Sequence, residues 1–390
     1  MSTATSKIKY GVYGIGLLMM GVIAISSSLA TIAAQFPGAS QTMIQNLISV
    51  SCIVIIPTTI VVGKLMEYVS KKSIVLVGIV LFLVGGTAPA FMTSFDAILI
   101  MRAVLGIGVG ICQVISTALV VEQFRGPEQN KVQGTLQASQ MFGIAIMVFL
   151  GGALADFHWN DAFFVHLLGV VSLILVAIFV PHTKPRRVKS VGTQAKMKFT
   201  GVTWGWIIFM FFLFITFQIY NVSLSFLIAG KKLGTAADAG LSVAFFALGG
   251  FVMGLFYEKL ANATRNCATA VGCVCLVISF VLVATAHSML LCYIGSVFFG
   301  VAIASTLPGV FINTGMSVEA GAMGMAISAV TCSQNFAQFV CPFLVNPLSE
   351  ALSPGNNVVT NFVIGAILAG VLAVIMFAWG TSQNKKKLAA

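Results

Sequence analysis

Charged residues are scarce in this 390-residue chain. They make up 8% of it, and only 10 are acidic, whereas 58% of the residues are hydrophobic. A soluble protein is typically about 25% charged and just under half apolar. The shortage of charge therefore excludes an ordinary cytosolic enzyme, a disordered protein and a small secreted domain held by disulfides. Prolines number only 10, and the 38 glycines do not recur at every third position, which excludes collagen. A polytopic membrane protein is left.

Residues that carry chemistry are also few. The four histidines are scattered, and no Ser-His-Asp set or phosphate-binding loop is found. The eight cysteines all fall in apolar runs, and no histidine near Cys273 and Cys275 completes a zinc set. We therefore expect no enzymatic activity, no cofactor and no metal site.

Long apolar runs account for most of the chain, whose mean hydropathy is +1.03. Crossing the bilayer takes about 20 apolar residues in a helix. The runs between polar breaks predict an all-α protein with twelve transmembrane helices, at 10–34, 42–62, 73–93, 98–121, 132–155, 162–181, 203–229, 237–257, 267–287, 289–312, 318–345 and 358–380.

The basic residues are distributed unevenly over the loops. With the N-terminus inside, 18 of the 21 lysines and arginines fall on the inner side, Lys231 and Lys232 fall outside, and Arg102 falls within the fourth span. This positive-inside pattern predicts a plasma (inner) membrane protein with both termini in the cytoplasm. The net charge of +11 then reflects topology and lipid contact, and no nucleic-acid partner is expected.

The two halves of the chain resemble each other weakly but in order. Residues 63–67 match 254–258, residues 115–117 match 304–306, and residues 139–143 match 333–337, each about 190 positions apart. The matches predict two six-helix bundles, 1–181 and 201–390, joined by a cytoplasmic linker at 182–200. Many secondary transporters are built from such repeats, with a substrate site near the bilayer midplane.

Three motifs support a family resemblance. Residues 63–72 (GKLMEYVSKK) are similar to G-x-L-(A/S)-D-R-x-G-(R/K)-(R/K), residues 102–110 to R-x-x-x-G-x-G-x-G, and residues 159–163 (WNDAF) to W-R-x-x-F. On these motifs the chain resembles the major facilitator superfamily over nearly its whole length. The resemblance implies rocker-switch alternating access. The proline-containing fifth-span signature of proton antiporters is missing, since Ile144 follows Gly143. Whether the protein is an antiporter is therefore left undecided by these motifs.

The resemblance also implies a cytoplasmic charge latch that stabilises the outward-facing state. In it, Glu67 would face the positive N-terminus of span eleven in the other half. The latch residues carried over are Gly63, Glu67, Lys71, Lys72, Glu122 and Arg125. The alternative, ordinary interfacial charges, suffices for Lys71 and Lys72.

Polar stripes on five apolar spans predict a water-filled central cavity. The candidate substrate-binding residues are Arg102, Gln113, Gln137, Gln140, Gln218, Asn221, Gln334 and Asn335. The alternative is that such side chains only hold helices together. Arg102 in particular could pack rather than bind substrate. The pairs Gly106–Gly110 and Gly250–Gly254 predict close helix contacts.

No acidic residue lies deep in a span, and this absence, together with Arg102, favours a small organic anion, such as a carboxylate, coupled to protons or exchanged. An exporter of apolar drugs or metabolites is the alternative within transport, and a non-transporting membrane sensor or scaffold is the alternative of another class. The expected partners are a small-molecule substrate and membrane lipid, and the expected state is a monomer.

Overall fold

The computed structural model describes residues 3–182, 199–264, 267–319, 323–355 and 357–389. Most of the predicted linker, residues 183–198, lies outside this range. Within the described residues the chain is mostly helical, with short turns between the helices, and contains no strand. The all-α fold predicted from the apolar runs is confirmed.

The first half of the chain contains seven α-helices and four short 3₁₀ segments. The α-helices are α1 (Thr3–Leu18), α2 (Leu29–Gln35), α3 (Gln41–Leu65), α4 (Lys71–Thr87), α5 (Phe95–Gln123), α6 (Gly126–Ala155) and α7 (Gly169–Phe179). The 3₁₀ segments are Gly21–Ile23, Ser26–Ser28, Ala88–Phe91 and Asp161–Leu168. The first and sixth predicted spans are therefore each built from more than one helical piece.

The second half consists of six longer helices. They are α8 (Gly201–Gly230), α9 (Ala236–Thr264), α10 (Ala268–Ala284), α11 (Met289–Met316), α12 (Met323–Leu352) and α13 (Asn357–Ala389). α11 contains Pro308, and α12 contains Pro342 and Pro347. Proline removes a backbone hydrogen bond and bends a helix, and such breaks are tolerated where neighbouring helices cover the freed carbonyl groups.

Ten helical segments of the described chain are long and apolar enough to cross a membrane, and α10 is a shorter apolar helix of 17 residues. α12, with 30 residues, corresponds to the eleventh predicted span and is not among these ten segments. Large apolar side chains such as Ile367 and Val374 remain exposed along these helices, as expected of surfaces that face lipid.

The chain divides into two compact units. One contains Met1–Gly192 and Thr235–Gly240, and the other contains Thr193–Gly234 and Leu241–Ala390. The first turns of α9 thus belong to the first unit, whereas the sequence repeats assigned all of 201–390 to the second.

Glycines allow close helix contacts inside each unit. A Cβ on Gly106 would lie 2.5 Å from Ser51 O, and one on Gly110 would lie 3.0 Å from Thr58 Cγ2, so this predicted pair does sit against a neighbouring helix. The predicted pair in α9 behaves differently. A Cβ on Gly254 would meet nothing within 4 Å, so the prediction of a close contact there is wrong.

In the second unit the close approach is made instead by Gly300. A Cβ at this position would overlap Phe246 O and lie 2.6 Å from Gly250 N. Gly250 and Gly300 therefore let α9 and α11 approach backbone to backbone.

Candidate functional site

The first span is broken in the middle of its length. α1 ends at Leu18 and α2 begins at Leu29, and two short 3₁₀ turns occupy the interval. Residues 21–29 are all buried. Non-helical backbone at membrane depth is tolerated only where protein or water satisfies the freed polar groups. The break therefore identifies the polar centre of the first unit.

The local sequence explains where the break falls. Gly21 has no side chain to favour the helix, and Ser26, Ser27 and Ser28 compete for backbone hydrogen bonds with their hydroxyl groups. Ser28 Oγ donates to Ile25 O at 3.1 Å, within the break. Ser27 Oγ donates to Val148 O of α6 at 2.9 Å. The serine side chains thus form hydrogen bonds within the break and to α6.

Arg102 of α5 is completely buried beside this break. Its Nε donates to Leu47 O of α3 at 2.8 Å, and its Nη2 donates to Val22 O, inside the break. Its own backbone carbonyl accepts from Ser51 Oγ at 2.6 Å. The guanidinium therefore joins α5, α3 and the interrupted first span, and it forms no ion pair with an acid among the described residues.

His166, in the 3₁₀ segment Asp161–Leu168, completes the same cluster and is also fully buried. Its Nδ1 lies 2.9 Å from Phe163 O, and its Nε2 lies 3.3 Å from Arg102 Nη1. Phe163 O can only accept, so Nδ1 donates in this contact. Nε2 also lies 3.3 Å from Gly21 O, so the ring contacts the interrupted first span as well as the arginine.

Gln140 of α6 also reaches the break. Its Nε2 donates to Met19 Sδ at 3.2 Å, and Ser116 Oγ of α5 lies 3.4 Å from the same sulfur. Of the other candidates in this unit, Gln113 is half-buried and Gln137 is exposed. The structure thus brings Arg102 and Gln140 to one region and leaves Gln137 away from the buried centre.

In the second unit the polar stripe of α8 is buried. Gln218 is 0% exposed, Asn221 is 2% exposed and Ser225 is 3% exposed. Asn221 Nδ2 donates to Phe217 O at 2.8 Å, whereas Asn221 Oδ1 and Ser225 Oγ find no hydrogen-bond partner among the described residues. A buried acceptor without a donor costs about 1–3 kcal/mol, so these two oxygens suit a water molecule or a polar group of a solute.

The candidates on α12 differ in exposure. Asn335 is 5% exposed, and its Nδ2 donates to Thr331 O at 3.0 Å, one turn earlier. Gln334 is half-buried. The assignment of these amides, and of those on α5, α6 and α8, to a substrate site stays a prediction.

The predicted latch residues are only partly brought together. Lys71 Nζ forms an ion pair with Glu122 Oε1 at 2.8 Å, joining the start of α4 to the end of α5. Lys72 Nζ instead donates to Ala177 O of α7 at 2.7 Å. Glu67 and Arg125 are exposed.

The structure does not test the remaining part of the predicted latch. Gly63 is exposed, and a Cβ there would meet nothing within 4 Å. The proposed partner of Glu67 is the N-terminus of span eleven, where residues 320–322 lie outside the described range. The latch role of Glu67 therefore stays a prediction.

The carboxylate of Asp156 binds the N-terminus of α9. Asp156 Oδ1 accepts from Ala236 N at 3.0 Å, and Oδ2 accepts from Ala237 N at 3.2 Å. A carboxylate at a helix N-terminus pairs with unsatisfied N–H groups and with the positive end of the helix dipole. A Cβ on Gly152 would overlap Ala236 O, so this glycine is needed for the close approach.

The break in the first span and Asp156 were not singled out from the sequence. The Gly21 and Ser26–Ser28 cluster is a visible signal for the break, because glycine and serine are weak helix formers. Nothing in the sequence places His166 next to Arg102, since 64 residues separate them.

Together, the ten helical segments able to cross a membrane, the shorter apolar helix α10 and the uncharged buried amides indicate a polytopic α-helical membrane protein. The comparison with family models is decisive. Residues 12–342 match the Major Facilitator Superfamily, and the chain belongs to that family. The family assignment favours a transporter over an enzyme.

Curated relatives match about a third of the chain. An uncharacterised MFS-type transporter, EfpA of Mycobacterium tuberculosis, is 28% identical over 135 residues, which are 34% of this chain and 26% of the relative. The multidrug transporter protein MdtP of Bacillus subtilis is 26% identical over 126 residues, 31% of this chain and 23% of the relative. The matched region spans about a quarter of the length of these relatives.

Solved structures show the same fold over almost the whole chain. The nucleoside transporter NupG aligns with a TM-score of 0.76 at 13% identity, covering 95% of this chain and 99% of that one. A bacterial homologue of the human lysosomal transporter Spinster, in an inward-facing and unoccupied conformation, aligns with a TM-score of 0.73 at 12% identity, covering 99% and 98%. At such low identity these structures establish the fold and leave the substrate open.

Proposed function

We propose that this chain is a secondary transporter that exports a small, uncharged and largely apolar solute by alternating access. The observation that carries the proposal is the position of Arg102. The guanidinium is 0% exposed and is held by Leu47 O, Val22 O and His166 of its own unit. The one basic residue within the predicted spans therefore forms its hydrogen bonds inside the protein.

This position removes the support for a carboxylate substrate. The anion hypothesis needs a positive group that a solute can reach, and a buried arginine already donating to two carbonyl oxygens does not offer one. In the second unit, the groups left for a solute are the neutral oxygens Asn221 Oδ1 and Ser225 Oγ. Ligand sites of this composition are mostly apolar, with a few polar groups that fix orientation.

Two of the relatives support the direction of transport. The MFS-type efflux pump MFS1 of Trichophyton rubrum is 28% identical over 131 residues, 33% of this chain and 24% of that relative, and its name denotes export. The name of the multidrug transporter protein MdtP denotes a broad substrate range. We extend that function to this chain as part of the proposal.

The test is a ligand screen on the purified protein in detergent. Neutral apolar compounds, carboxylates and amines are compared by thermal unfolding, since a ligand present at 100 times its Kd stabilises the native state by about 2.7 kcal/mol. We expect stabilisation by neutral apolar compounds only. Selective stabilisation by carboxylates would overturn the proposal and restore the anion hypothesis.

Direction and site are tested with the compounds so identified. Cells that express the protein should accumulate less of an active compound than cells that express Asn221→Leu, if the unpartnered amide oxygen of Asn221 contacts the solute. Asn262→Leu is the matched control, because Asn262 is exposed near the end of α9 and is not among the candidate substrate residues. Equal accumulation with the wild-type protein and with Asn221→Leu would reject this residue as part of the site.

A further inference from the structure

Two buried side-chain oxygens lie one helical turn apart on α8. Asn221 Oδ1 and Ser225 Oγ find no hydrogen-bond partner among the described residues, and the two side chains are 2% and 3% exposed. Residues four apart on an α-helix project from the same face, with about 5–6 Å between their Cβ atoms. One polar group can therefore contact both oxygens at the same time.

The two oxygens lie on the side of α8 that faces away from α13. Ser223 Oγ accepts from Asn361 Nδ2 of α13 at 3.4 Å, so Ser223 is on the side of α8 that faces α13. An α-helix turns by about 100° per residue, which places Ser223 about 200° around the axis from both Asn221 and Ser225. The polar group of α13 at Asn361 is therefore on the opposite side of α8 from the two oxygens.

Asn221 presents an acceptor and no donor on this face. Its Nδ2 donates to Phe217 O at 2.8 Å, four residues earlier in the same helix. Only the nitrogen end of an amide can donate to a carbonyl, so this contact fixes the orientation of the amide group. The end without a partner is Oδ1, which can only accept. A solute group that contacts Asn221 Oδ1 must therefore donate a hydrogen bond.

Ser225 differs from buried serines elsewhere in the second unit. Ser296 Oγ donates to Cys292 O at 2.6 Å. Ser305 Oγ donates to Val301 O, also at 2.6 Å. A bond to the carbonyl four residues earlier is a usual way for a serine inside a helix to satisfy its hydroxyl. Ser225 Oγ makes no such bond, so its hydroxyl can both donate to a solute and accept from it.

We propose that the transported solute carries a hydroxyl group, as an alcohol or a phenol does, and that this group binds Asn221 and Ser225 together. The solute hydroxyl donates to Asn221 Oδ1, and its oxygen accepts from Ser225 Oγ. An oxygen about 2.8 Å from each of two partners bridges a gap of up to about 5.6 Å, which suits side chains one turn apart. The hydroxyl assignment rests on the proposed function and names the class of neutral solute.

Other neutral groups satisfy only part of this pair. An ether, ester or ketone oxygen can accept from Ser225 but cannot donate, so Asn221 Oδ1 stays unpaired. Leaving a buried acceptor unpaired weakens binding by about tenfold or more. We therefore expect the protein to bind an alcohol or a phenol more tightly than the corresponding methyl ether.

The test compares two neutral compounds of the same aromatic skeleton, 2-naphthol and 2-methoxynaphthalene. Their Kd values are measured from thermal unfolding of the purified full-length protein over a series of concentrations. We expect 2-naphthol to bind about tenfold more tightly. Asn221→Leu should abolish this preference, and Ser225→Ala should reduce it. Asn262→Leu is the matched control and should keep it, because Asn262 is exposed near the end of α9.

The possible outcomes distinguish the hydroxyl assignment from the proposed function. Equal Kd values for the two compounds on the wild-type protein would overturn the assignment and leave the proposed function in place. If neither compound stabilises the protein, the assignment is rejected, and if carboxylates stabilise it instead, the proposed function is rejected as well. Ser225→Ala removes a single oxygen atom and gives the readout if Asn221→Leu does not fold. A preference that Ser225→Ala leaves unchanged would place the solute hydroxyl elsewhere and overturn the assignment.

Discussion

Replacing Arg102 by methionine decides whether this arginine holds the fold together or contacts a solute. The variant keeps a long apolar side chain and removes the guanidinium. Val22 O, inside the break of the first span, then loses the buried donor that it has in the wild-type protein. Leu47 O, which lies within α3, loses a charge-assisted hydrogen bond of 2.8 Å.

The expected loss follows from these two acceptors. A buried carbonyl without a donor costs about 1–3 kcal/mol, and a lost hydrogen bond to a charged group has a similar effect. Because Leu47 O keeps its place in a helix, we expect Arg102→Met to lower the free energy of unfolding by about 2–4 kcal/mol in total. Arg102→Lys should fall between the wild type and Arg102→Met, since an ammonium group cannot reach both carbonyls and His166 from one position.

The assay combines thermal unfolding in detergent with ligand titration of the folded fraction. Lower unfolding temperatures with nearly unchanged affinity are expected for both Arg102 variants. Gln113→Leu, on the same helix and half-buried, is the control for a polar loss outside the cluster. Normal unfolding of Arg102→Met together with a large loss of affinity would refute the structural role and point to direct binding.

Three further predictions concern other contacts. Lys232→Gly should raise stability by about 1 kcal/mol, because Lys232 has φ of 53° at the end of α8, where glycine is unstrained; an unchanged unfolding temperature would contradict this. Gly300→Ala should lower the yield of folded protein extracted in detergent, because the new Cβ overlaps a backbone oxygen, whereas Gly250→Ala should be tolerated. Equal yields of the two variants would show that α9 and α11 can separate. Glu122→Gln should lower the unfolding free energy by less than about 1 kcal/mol, because the Glu122 side chain in its pair with Lys71 is 49% exposed. A larger loss at low salt that disappears at 1 M salt would show that the pair is stronger than its exposure indicates.

The sequence by itself determined the membrane class, the all-α fold and the number of spans. Runs of about 20 apolar residues specify helices, because the lipid interior leaves no other way to satisfy the backbone of a single segment. The sequence also indicated the family, because the loop 63–72 and the glycine-rich stretch 102–110 keep the spacing of the family motifs. The close contact at Gly106 followed from the same pattern.

Only the tertiary structure decided what Arg102 does. Its sequence position shows a charge in a span, but whether a guanidinium faces a solute or a carbonyl depends on which helices surround it. The partners Val22, Leu47 and His166 lie 80, 55 and 64 residues away in the chain. For the same reason, the sequence pattern does not predict that Gly254 is open while Gly300 is tightly packed. Local composition fixes where helices form, and the three-dimensional neighbours of each side chain fix its role.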